Sequence, residues 1–503
     1  MTPQHPVEIE LKLALPADQA ALFLKLMARR RSVPLQQNLI TRYYDTPDFA
    51  LSAQGIALRV RKIGRRWLQT LKTEGERQGG LSHRAEYEMT VPNDKPDWTR
   101  FPVAAQAMVS DALRTQLIPL FETHFNRTAW LLKGRGGAQI EVALDVGEVR
   151  AGTQSQPICE IELELKAGQP DALYELAQVW ATKLDLLPLD VSKAERGVRL
   201  ARGDKAAPVK SAPVKLHDDM HVGEGFVAVV QACLAQFQTN LPGVLASDDI
   251  EYVHQARVAL RRLRAALRVF RRVCRLPDEL LEGVRALTAA LGPVRDWDVL
   301  CDEILPAIAP HFADEGAWQS GLSVLEAHRA EARVAMRAEM IQARPGAWLL
   351  TFQRWLFQQG WREGSAAQHR VQQSALKAWA RRKLQKGHRP IVRGARDFGH
   401  LQPAQRHALR IAIKRQRYAA EFFTAMFVGR RQARYQSVLQ DMQASLGRIN
   451  DCSVASRLLT QAGAESGSMG DFSRGWLTAC RAGDDQKGTR KQLKNFVKWV
   501  PCW

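Results

Sequence analysis

The sequence predicts an α+β multidomain chain: a β-rich first part whose strands carry one charged face, then an all-helical second part. Three observations predict it. Apolar residues alternate with a period of two up to about residue 200 and recur with a period near 3.6 beyond residue 220. Between the two regimes, residues 203–218 carry Ala-Pro-Val-Lys twice, at 207–210 and 212–215, with no apolar period, which is the composition of an extended spacer. A chain of 503 residues also exceeds what one hydrophobic core organises. The expected boundaries are a first domain at 1–202, a linker at 203–218 and a second domain at 219–503.

In the first part Glu8, Glu10 and Lys12 alternate with Val7, Ile9, Leu11 and Leu13, and Arg59 and Arg61 flank Val60. Arg84, Glu86 and Glu88 alternate with Ala85, Tyr87 and Met89; Glu141 and Asp145 with Ile140, Val142, Leu144 and Val146; Glu160, Glu162 and Glu164 with Ile161, Leu163 and Leu165. Each is a strand with an apolar and a charged side. Helical stretches are expected at 16–31 and 171–186. Beyond the linker, helices are expected at 226–240, 249–274, 278–291, 295–308, 317–343, 374–386, 403–427 and 431–446.

The second part repeats internally. His254-Gln-Ala-Arg257-Val-Ala-Leu-Arg261-Arg-Leu-Arg264 recurs as His407-Ala-Leu-Arg410-Ile-Ala-Ile-Lys414-Arg-Gln-Arg417, and each copy is followed by Leu-Gly and an Asp, at Leu291, Gly292 and Asp296 and at Leu446, Gly447 and Asp451. A common offset of 153–155 residues marks a duplication.

The formal charge of +20 is unevenly shared. Residues 1–204 hold 27 Lys and Arg against 25 Asp and Glu, whereas residues 205–503 hold 45 against 27, an excess of +18 that attracts polyanions. No apolar run reaches the length of a membrane span and no signal-peptide pattern opens the sequence, so a cytoplasmic location without membrane association is expected. The seven cysteines, Cys159, Cys233, Cys274, Cys301, Cys452, Cys480 and Cys502, are scattered and nowhere spaced for a zinc site or a disulfide framework.

One strand with Glu, Lys and Arg on a face is ordinarily a solvated sheet surface. Five strands with the same habit suit a barrel closed with those faces inward, its lumen lined by opposed acids and bases. Acids in such a lumen suit Mg²⁺ or Mn²⁺, hard ions that bridge carboxylates and phosphates, and the Arg and Lys groups suit phosphate oxygens. A metal triphosphate complex satisfies both sets.

The motif Glu8-x-Glu10-x-Lys12 is followed in order by Tyr43-Tyr44-Asp45-Thr46, Leu58-Arg59-Val60-Arg61, Thr70-Leu71-Lys72, Arg84-Ala85-Glu86-Tyr87-Glu88, Arg127, Asp145, Glu160-Ile161-Glu162 and Ser192-Lys193. In these residues, over about 5–200, the sequence resembles the CYTH-type triphosphate tunnel enzymes. The resemblance implies an eight-stranded antiparallel β-barrel tunnel with flanking helices. Lys12, Arg59, Arg61, Lys72, Arg84, Arg127 and Lys193 would grip a triphosphate, and Glu8, Glu10, Glu86, Asp145, Glu160 and Glu162 would hold Mg²⁺ or Mn²⁺, with Glu88 and Glu164 as substitutes. Glu10, Lys12, Glu86 and Lys193 form the expected catalytic centre of a metal-assisted phosphoryl transfer to water. Inorganic triphosphate is the leading substrate; thiamine triphosphate and nucleotides are the organic alternatives.

In the second part His254, Arg257, Arg261 and Arg264 share one helix face, opposite Val253, Leu260 and Leu263. Like charges at that spacing repel by about 0.2–0.5 kcal/mol per pair, so a duplicated row points to an anionic partner. These residues resemble the CHAD domain, over about 220–460, which implies two pseudo-symmetric four-helix bundles and a basic groove for polyphosphate. His254, Arg257, Arg261, Arg264, His407, Arg410, Lys414 and Arg417 would line it, with Arg381, Lys383 and Lys386 as additions and Asp296 and Asp451 as ion-pair partners. The expected partners are thus inorganic triphosphate and long-chain polyphosphate, with association with polyphosphate granules. Nucleic acid is the weaker candidate, because the basic helices lack an aromatic stacking platform. The competing class is a non-catalytic scaffold that binds granules or nucleic acid.

Overall fold

The computed structural model describes residues 7–30, 32–482, 486–499 and 503. Its strands are β1 (Val7–Ala14), β2 (Leu35–Asp45), β3 (Ala57–Ile63), β4 (Arg66–Lys72), β5 (Glu76–Gln78), β6 (Leu81–Val91), β7 (Ile118–Lys133), β8 (Gln139–Ala151), β9 (Gln154–Ala167) and β10 (Leu187–Pro188). The longer helices are α1 (Ala20–Ala28), α2 (Asp171–Ala181), α3 (Lys193–Arg202), α4 (Val222–Ala246), α5 (Ile250–Val269), α6 (Asp278–Val299), α7 (Glu315–Gln342), α8 (Pro345–Phe357), α9 (Leu376–Arg396), α10 (Pro403–Phe422), α11 (Arg430–Ala462), α12 (Gly467–Ala482) and α13 (Gln486–Val497).

Eight antiparallel strands close a barrel in the order β1-β9-β8-β7-β2-β3-β4-β6, and β6 returns to pair with β1. Closure turns the period-two pattern into an inside and an outside. The apolar side chains Leu11, Leu13, Val142, Leu144, Ile161 and Leu163 face outward and are buried by α1 and α2 through Phe23, Met27, Leu173, Tyr174, Ala177 and Trp180. A second outer core, around Leu58, Val60, Leu71 and Tyr87, is covered by the segment containing Phe101, Ala105 and Val109.

Helix α3 was not expected from the sequence, since half of its ten residues are charged and Gly197 interrupts it. It is started by a capping box between Ser192 and Glu195. Its apolar side, Ala194 and Val198, packs on Leu39, Tyr43, Phe121, Phe125, Val149 and Ile158. Gly197 permits the approach: a Cβ there would fall 2.0 Å from the Phe121 ring.

Contacts divide the chain into two compact units, Met1–Ala207 with Arg344–Gln358, and Pro208–Ala343 with Gln359–Trp503. The segment 344–358, which lies within the expected 219–503 domain and for which no helix was foreseen, thus packs with the barrel. Helix α8 buries Leu350 in the core beneath α1 and α2, its Arg354 pairs with Asp171 at 2.8 Å, and its Gln353 meets Gln78 at 3.1 Å.

In the second unit α4 to α7 pack in sequence, as do α9, α10 and α11; α12 packs on α7 and α11, and α13 on α9 and α11. The duplicated helices α5 and α10 meet, and the buried Arg262 of α5 pairs with Glu421 of α10 at 2.7 Å. Four helices outrun their expected ends, the first being α4, which runs through Pro242 to Ala246. The stretches 278–291 and 295–308 join, because α6 passes through Gly292-Pro293 and continues by a π turn at Leu300–Ile304 into Leu305–Ile308. Helix α9 runs through Pro390, and α11 passes Gly447 to reach Ala462. A proline removes one backbone bond, and the burial of Leu291, Val294 and Trp297 around Pro293 outweighs that loss.

Among the described residues no helix is long and apolar enough to cross a membrane, and Cys159, Cys233, Cys274, Cys301 and Cys480 are free thiols; Cys502 lies outside the described residues.

The docking of α8 is open to test at Gly346, where a Cβ would stand 1.6 Å from the Leu186 carbonyl oxygen. Gly346→Ala should lift the helix and cost about 1–3 kcal/mol, as overpacking does, despite the better helix propensity of Ala. Hydrogen exchange across 345–357 and 186–188 should accelerate in this variant; unchanged protection would show that α8 is not seated as described.

Candidate active site

The charged strand faces meet inside the barrel, where a cavity of about 880 Å³ is lined by Glu8, Glu10, Lys12, Arg59, Arg61, Lys72, Arg84, Glu86, Arg127, Glu162 and Lys193, among others. Strand register sets acids opposite bases: Glu8 faces Arg84, Lys72 faces Glu86, Lys12 faces Glu162, and Arg127 faces Asp145. The resulting ion pairs form two groups.

In the first, Glu8 accepts from Lys72 and Arg84, each at 2.9 Å, Arg84 reaches Glu10 at 3.1 Å, Lys12 pairs with Glu10 at 2.9 Å, and Lys72 and Arg59 approach Glu86 at 3.1 and 3.5 Å. In the second, Lys193 at the N-terminus of α3 stands 2.7, 2.5 and 2.8 Å from Asp145, Glu160 and Glu162. Arg127 binds Asp145 at 2.6 Å and also touches Glu162.

Within the first group two acids hold their protons differently. Burial pushes the Glu8 carboxyl up, but the Lys72 and Arg84 charges win and hold it well below the usual range. Glu10 goes the other way: burial, then the charge of Glu162, push its carboxyl up against the pull of Lys12. Burial opposes the Lys193 charge, yet Asp145, Glu160 and Glu162 hold that ammonium well above its ordinary value.

Asp145, Glu160 and Glu162 are the one acidic group among the described residues whose ligand atoms all lie within 4.8 Å of one another. Asp145 and Glu160 are sealed behind Lys193, with no more than 1% of either exposed. The expected acids therefore divide into Glu8, Glu10, Glu86 and Glu162, which face the cavity, and Asp145 and Glu160, which hold Lys193 and, through Asp145, Arg127.

Arg61 has a different environment. Its Nε donates to Thr41 Oγ1 at 3.0 Å, and no carboxylate stands within ion-pairing distance of it among the described residues. Burial, then the neighbouring Arg59 and Arg127 charges, push its guanidinium down. The Nε of Arg59 is also buried without a hydrogen-bond partner.

In the helical unit, Arg257 and Arg261 of α5 and Arg410, Lys414 and Arg417 of α10 lie within electrostatic reach of one another. Burial and then these four arginines push the Lys414 ammonium down to about 8. Asp296 stands between Arg257 and Arg457 at 3.8 and 3.4 Å. Arg417 is tied to Gln443 and Glu421, Arg264 and His407 are exposed, and burial, then the Arg295 charge, push the His254 imidazolium down. Lys383 belongs to another cluster, beside Arg271, Arg272 and Lys386. Helix α13 buries Leu493 and Phe496 and exposes Arg490, Lys491, Lys494 and Lys498, so the C-terminal stretch is both packed and basic.

Family comparison agrees with this geometry on both sides of the linker: residues 6–198 match the CYTH domain and residues 228–460 match the CHAD domain. The chain carries a CYTH domain followed by a CHAD domain. Over 195 residues it is 36% identical to an inorganic triphosphatase of Haemophilus influenzae; the match covers 38% of this chain and 54% of that protein, so the chain spans about half the length of the curated relative it matches. The CHAD domain is similar to the crystal structure of the CHAD domain from the plant Ricinus communis, at 29% identity and a TM-score of 0.51, covering 59% of this chain and 98% of that one.

The CYTH motifs acquire physical content from the structure. In Tyr43-Tyr44-Asp45-Thr46, Tyr43 points into the lumen, whereas Asp45 accepts from the backbone of Thr46, Leu51 and Ser52 at 2.7–2.9 Å and fixes the turn after β2. Sequence reasoning missed Phe125, whose ring lies beneath three lumen cations, and Arg196, which pairs with Glu160 at 3.3 Å. The inward parity of β7, shared by Phe125 and Arg127, was the available sign for the first.

If Asp145 is a counter-charge for Arg127 and Lys193, Asp145→Asn leaves two buried cations under-compensated, a change that costs about 3–5 kcal/mol in comparable buried pairs. Chemical denaturation of the full chain should show that loss; a variant as stable as wild type would mean that those two cations find another partner.

Proposed function

We propose that the CYTH barrel hydrolyses inorganic triphosphate to diphosphate and phosphate with Mg²⁺ or Mn²⁺, and that the CHAD domain binds long-chain polyphosphate. The single observation that carries the first part is the juxtaposition, in one closed lumen, of Arg61, a buried arginine with no carboxylate partner among the described residues, and an acid, Glu10, that is buried and crowded by other acids. A phosphate chain relieves the first and a divalent cation the second. The similarity to an inorganic triphosphatase supports the same reading.

The donor set fits a hard cation. Glu8, Glu10, Glu86 and Glu162 present carboxylate oxygens to the cavity, and burial, then the charge of Glu162, push the Glu10 carboxyl up, a strain that a bound cation would relieve. When bound, the ion would neutralise phosphate charge and acidify water. The chain's own groups do the rest. Arg59, Arg61, Lys72, Arg84 and Arg127 hold the phosphate oxygens, and their fixed charges are aimed where negative charge grows as the terminal P–O bond breaks. Lys12 keeps Glu10 oriented at 2.9 Å, and Lys193 steadies Glu162 at 2.8 Å. Glu10, Lys12, Glu86 and Lys193 form the catalytic centre, with Glu10 or Glu86 positioning the attacking water. We place the working domains at 1–202 and 219–503, with residues 344–358 serving the barrel, and the protein in the cytoplasm, at polyphosphate granules where these form.

Glu10→Gln keeps side-chain volume and removes a metal charge, so triphosphate turnover should fall by at least about a hundredfold with the fold intact, and EDTA should abolish it in wild type. Phosphate release from triphosphate, thiamine triphosphate and ATP measures this, and full activity in EDTA, or preference for an organic triphosphate, would overturn the assignment.

For the CHAD domain, polyphosphate binding rests on the convergence of the α5 and α10 cations, which, after burial, depresses Lys414. Reversing Arg261, Arg264, Arg410 and Lys414 to Glu in the full-length Glu10→Gln background should collapse binding. By analogy with single-stranded nucleic acid, it should also lower the slope of log affinity against log salt by about 0.7 per lost contact. Equal binding of single-stranded DNA and polyphosphate by the unreversed chain would assign this face to nucleic acid instead.

A further inference from the structure

Phe125 sits on the inner side of β7, two residues before Arg127, and only 3% of it is exposed. Three cations from three elements lie over its ring: Lys193 of α3 at 5.1 Å from the centroid, Arg61 of β3 at 5.7 Å and Arg127 of β7 at 5.7 Å. These distances fall within the range of cation–π attraction, which strengthens where water is excluded. The space is made by the partner strand. Gly147 of β8 stands directly opposite, and a Cβ on it would fall 2.5 Å from that of Phe125.

The three cations are not equally supported. Lys193 and Arg127 have carboxylates, whereas Arg61 has Thr41 and is repelled by Arg59 and Arg127. A carboxylate in the place of Phe125 would hold Arg61 firmly but would neutralise it and compete with an incoming phosphate. An aromatic face attracts a guanidinium without cancelling its charge, so the cation stays in place and remains available.

We propose that Phe125 is a positioning residue for triphosphate hydrolysis, its π face holding Arg61, together with Arg127 and Lys193, in the arrangement that receives the phosphate chain. The inference rests on the assignment of those cations to phosphate binding and adds the element that orients them. Thr41 and Phe125 thus share the task of fixing Arg61, one by a hydrogen bond to Nε and the other through its ring face.

The test is electronic rather than steric. In the full-length enzyme Phe125 is replaced by mono-, di- and trifluorophenylalanine, which fill nearly the same space while progressively draining negative potential from the ring face. We expect kcat/KM for inorganic triphosphate to fall stepwise along the series, by about tenfold or more in total, and Phe125→Leu, which keeps an apolar filler without a π face, to fall at least as far as the trifluoro variant. Packing alone would give a flat fluorine series with loss only in Phe125→Leu, and that result overturns the proposal. Arg61→Ala, assayed in parallel, separates the two levels. A large loss in Arg61→Ala with a flat fluorine series removes the role of Phe125 alone, whereas wild-type kinetics in both Arg61→Ala and the fluorine series would remove the phosphate-binding assignment beneath it.

Discussion

Everything in the barrel depends on one constraint: ions shut inside a closed sheet must neutralise one another before any ligand arrives. Isolated charges in such a lumen would cost several kcal/mol each, and attraction repays that only with good geometry. The register supplies it, by setting Glu8 against Arg84, Lys72 against Glu86 and Arg127 against Asp145. The same register sends Leu11, Leu13, Ile161 and Leu163 outward to α1 and α2. A slip of one residue would exchange the two sets, driving charge into the outer core and leucine into the lumen, so ion pairing and core packing enforce the same alignment.

Neutralisation is incomplete in two places, and those places are where a ligand gains most. Arg61 is a buried cation with a hydroxyl and an aromatic ring for company, and Glu10 is a buried acid pressed by other acids. Elsewhere the pairs are satisfied. Lys193 is gripped by three carboxylates, and through that grip the start of α3 is anchored to the barrel wall while its apolar side fills part of the barrel interior. The acids of the lumen thus serve two purposes that composition does not separate. Some hold the framework of cations in position, and others face open volume.

This division explains what the sequence shows and what it hides. Period-two alternation suffices to name Glu8, Glu10, Arg59, Arg61, Glu86, Asp145 and Glu162 as members of one face, because parity along a strand is a local property. Depth is not local: Asp145 and Glu162 look alike in the sequence, and only the closing of the barrel and the arrival of Lys193 from α3 bury the first completely and leave the second on the cavity. Phe125 hid for a related reason, since an inward phenylalanine is indistinguishable from a core residue until the cations above it are located. Helix α8 escaped because the apolar residues of 345–357 serve a barrel more than 150 residues upstream in sequence, and no local pattern records that partner. The helices run past Gly292-Pro293 and Gly447 because tertiary packing, which no local pattern records, offsets the local cost of those residues.

The helical unit applies the same electrostatics with the opposite result. Its duplicated helices bring Arg257, Arg261, Arg410, Lys414 and Arg417 together with few acids between them, and burial, then the arginine charges, lower the affinity of Lys414 for its proton. What opposes the repulsion is packing: Val253, Leu260 and Leu263 on α5, Leu409 and Ile413 on α10, and the buried Arg262–Glu421 pair that joins the two helices. Because the apolar sides are fixed, the cations cannot spread apart to relieve one another, and Asp296 and Glu421 offset only part of the row. Duplication makes the effect larger than either copy provides, since each row is held within the field of the other. In the barrel the buried cations are mostly balanced, and Arg61 stands without a carboxylate partner among the described residues. On the paired helices the imbalance extends over the whole row, a pattern suited to a polyanion whose charges repeat along its length.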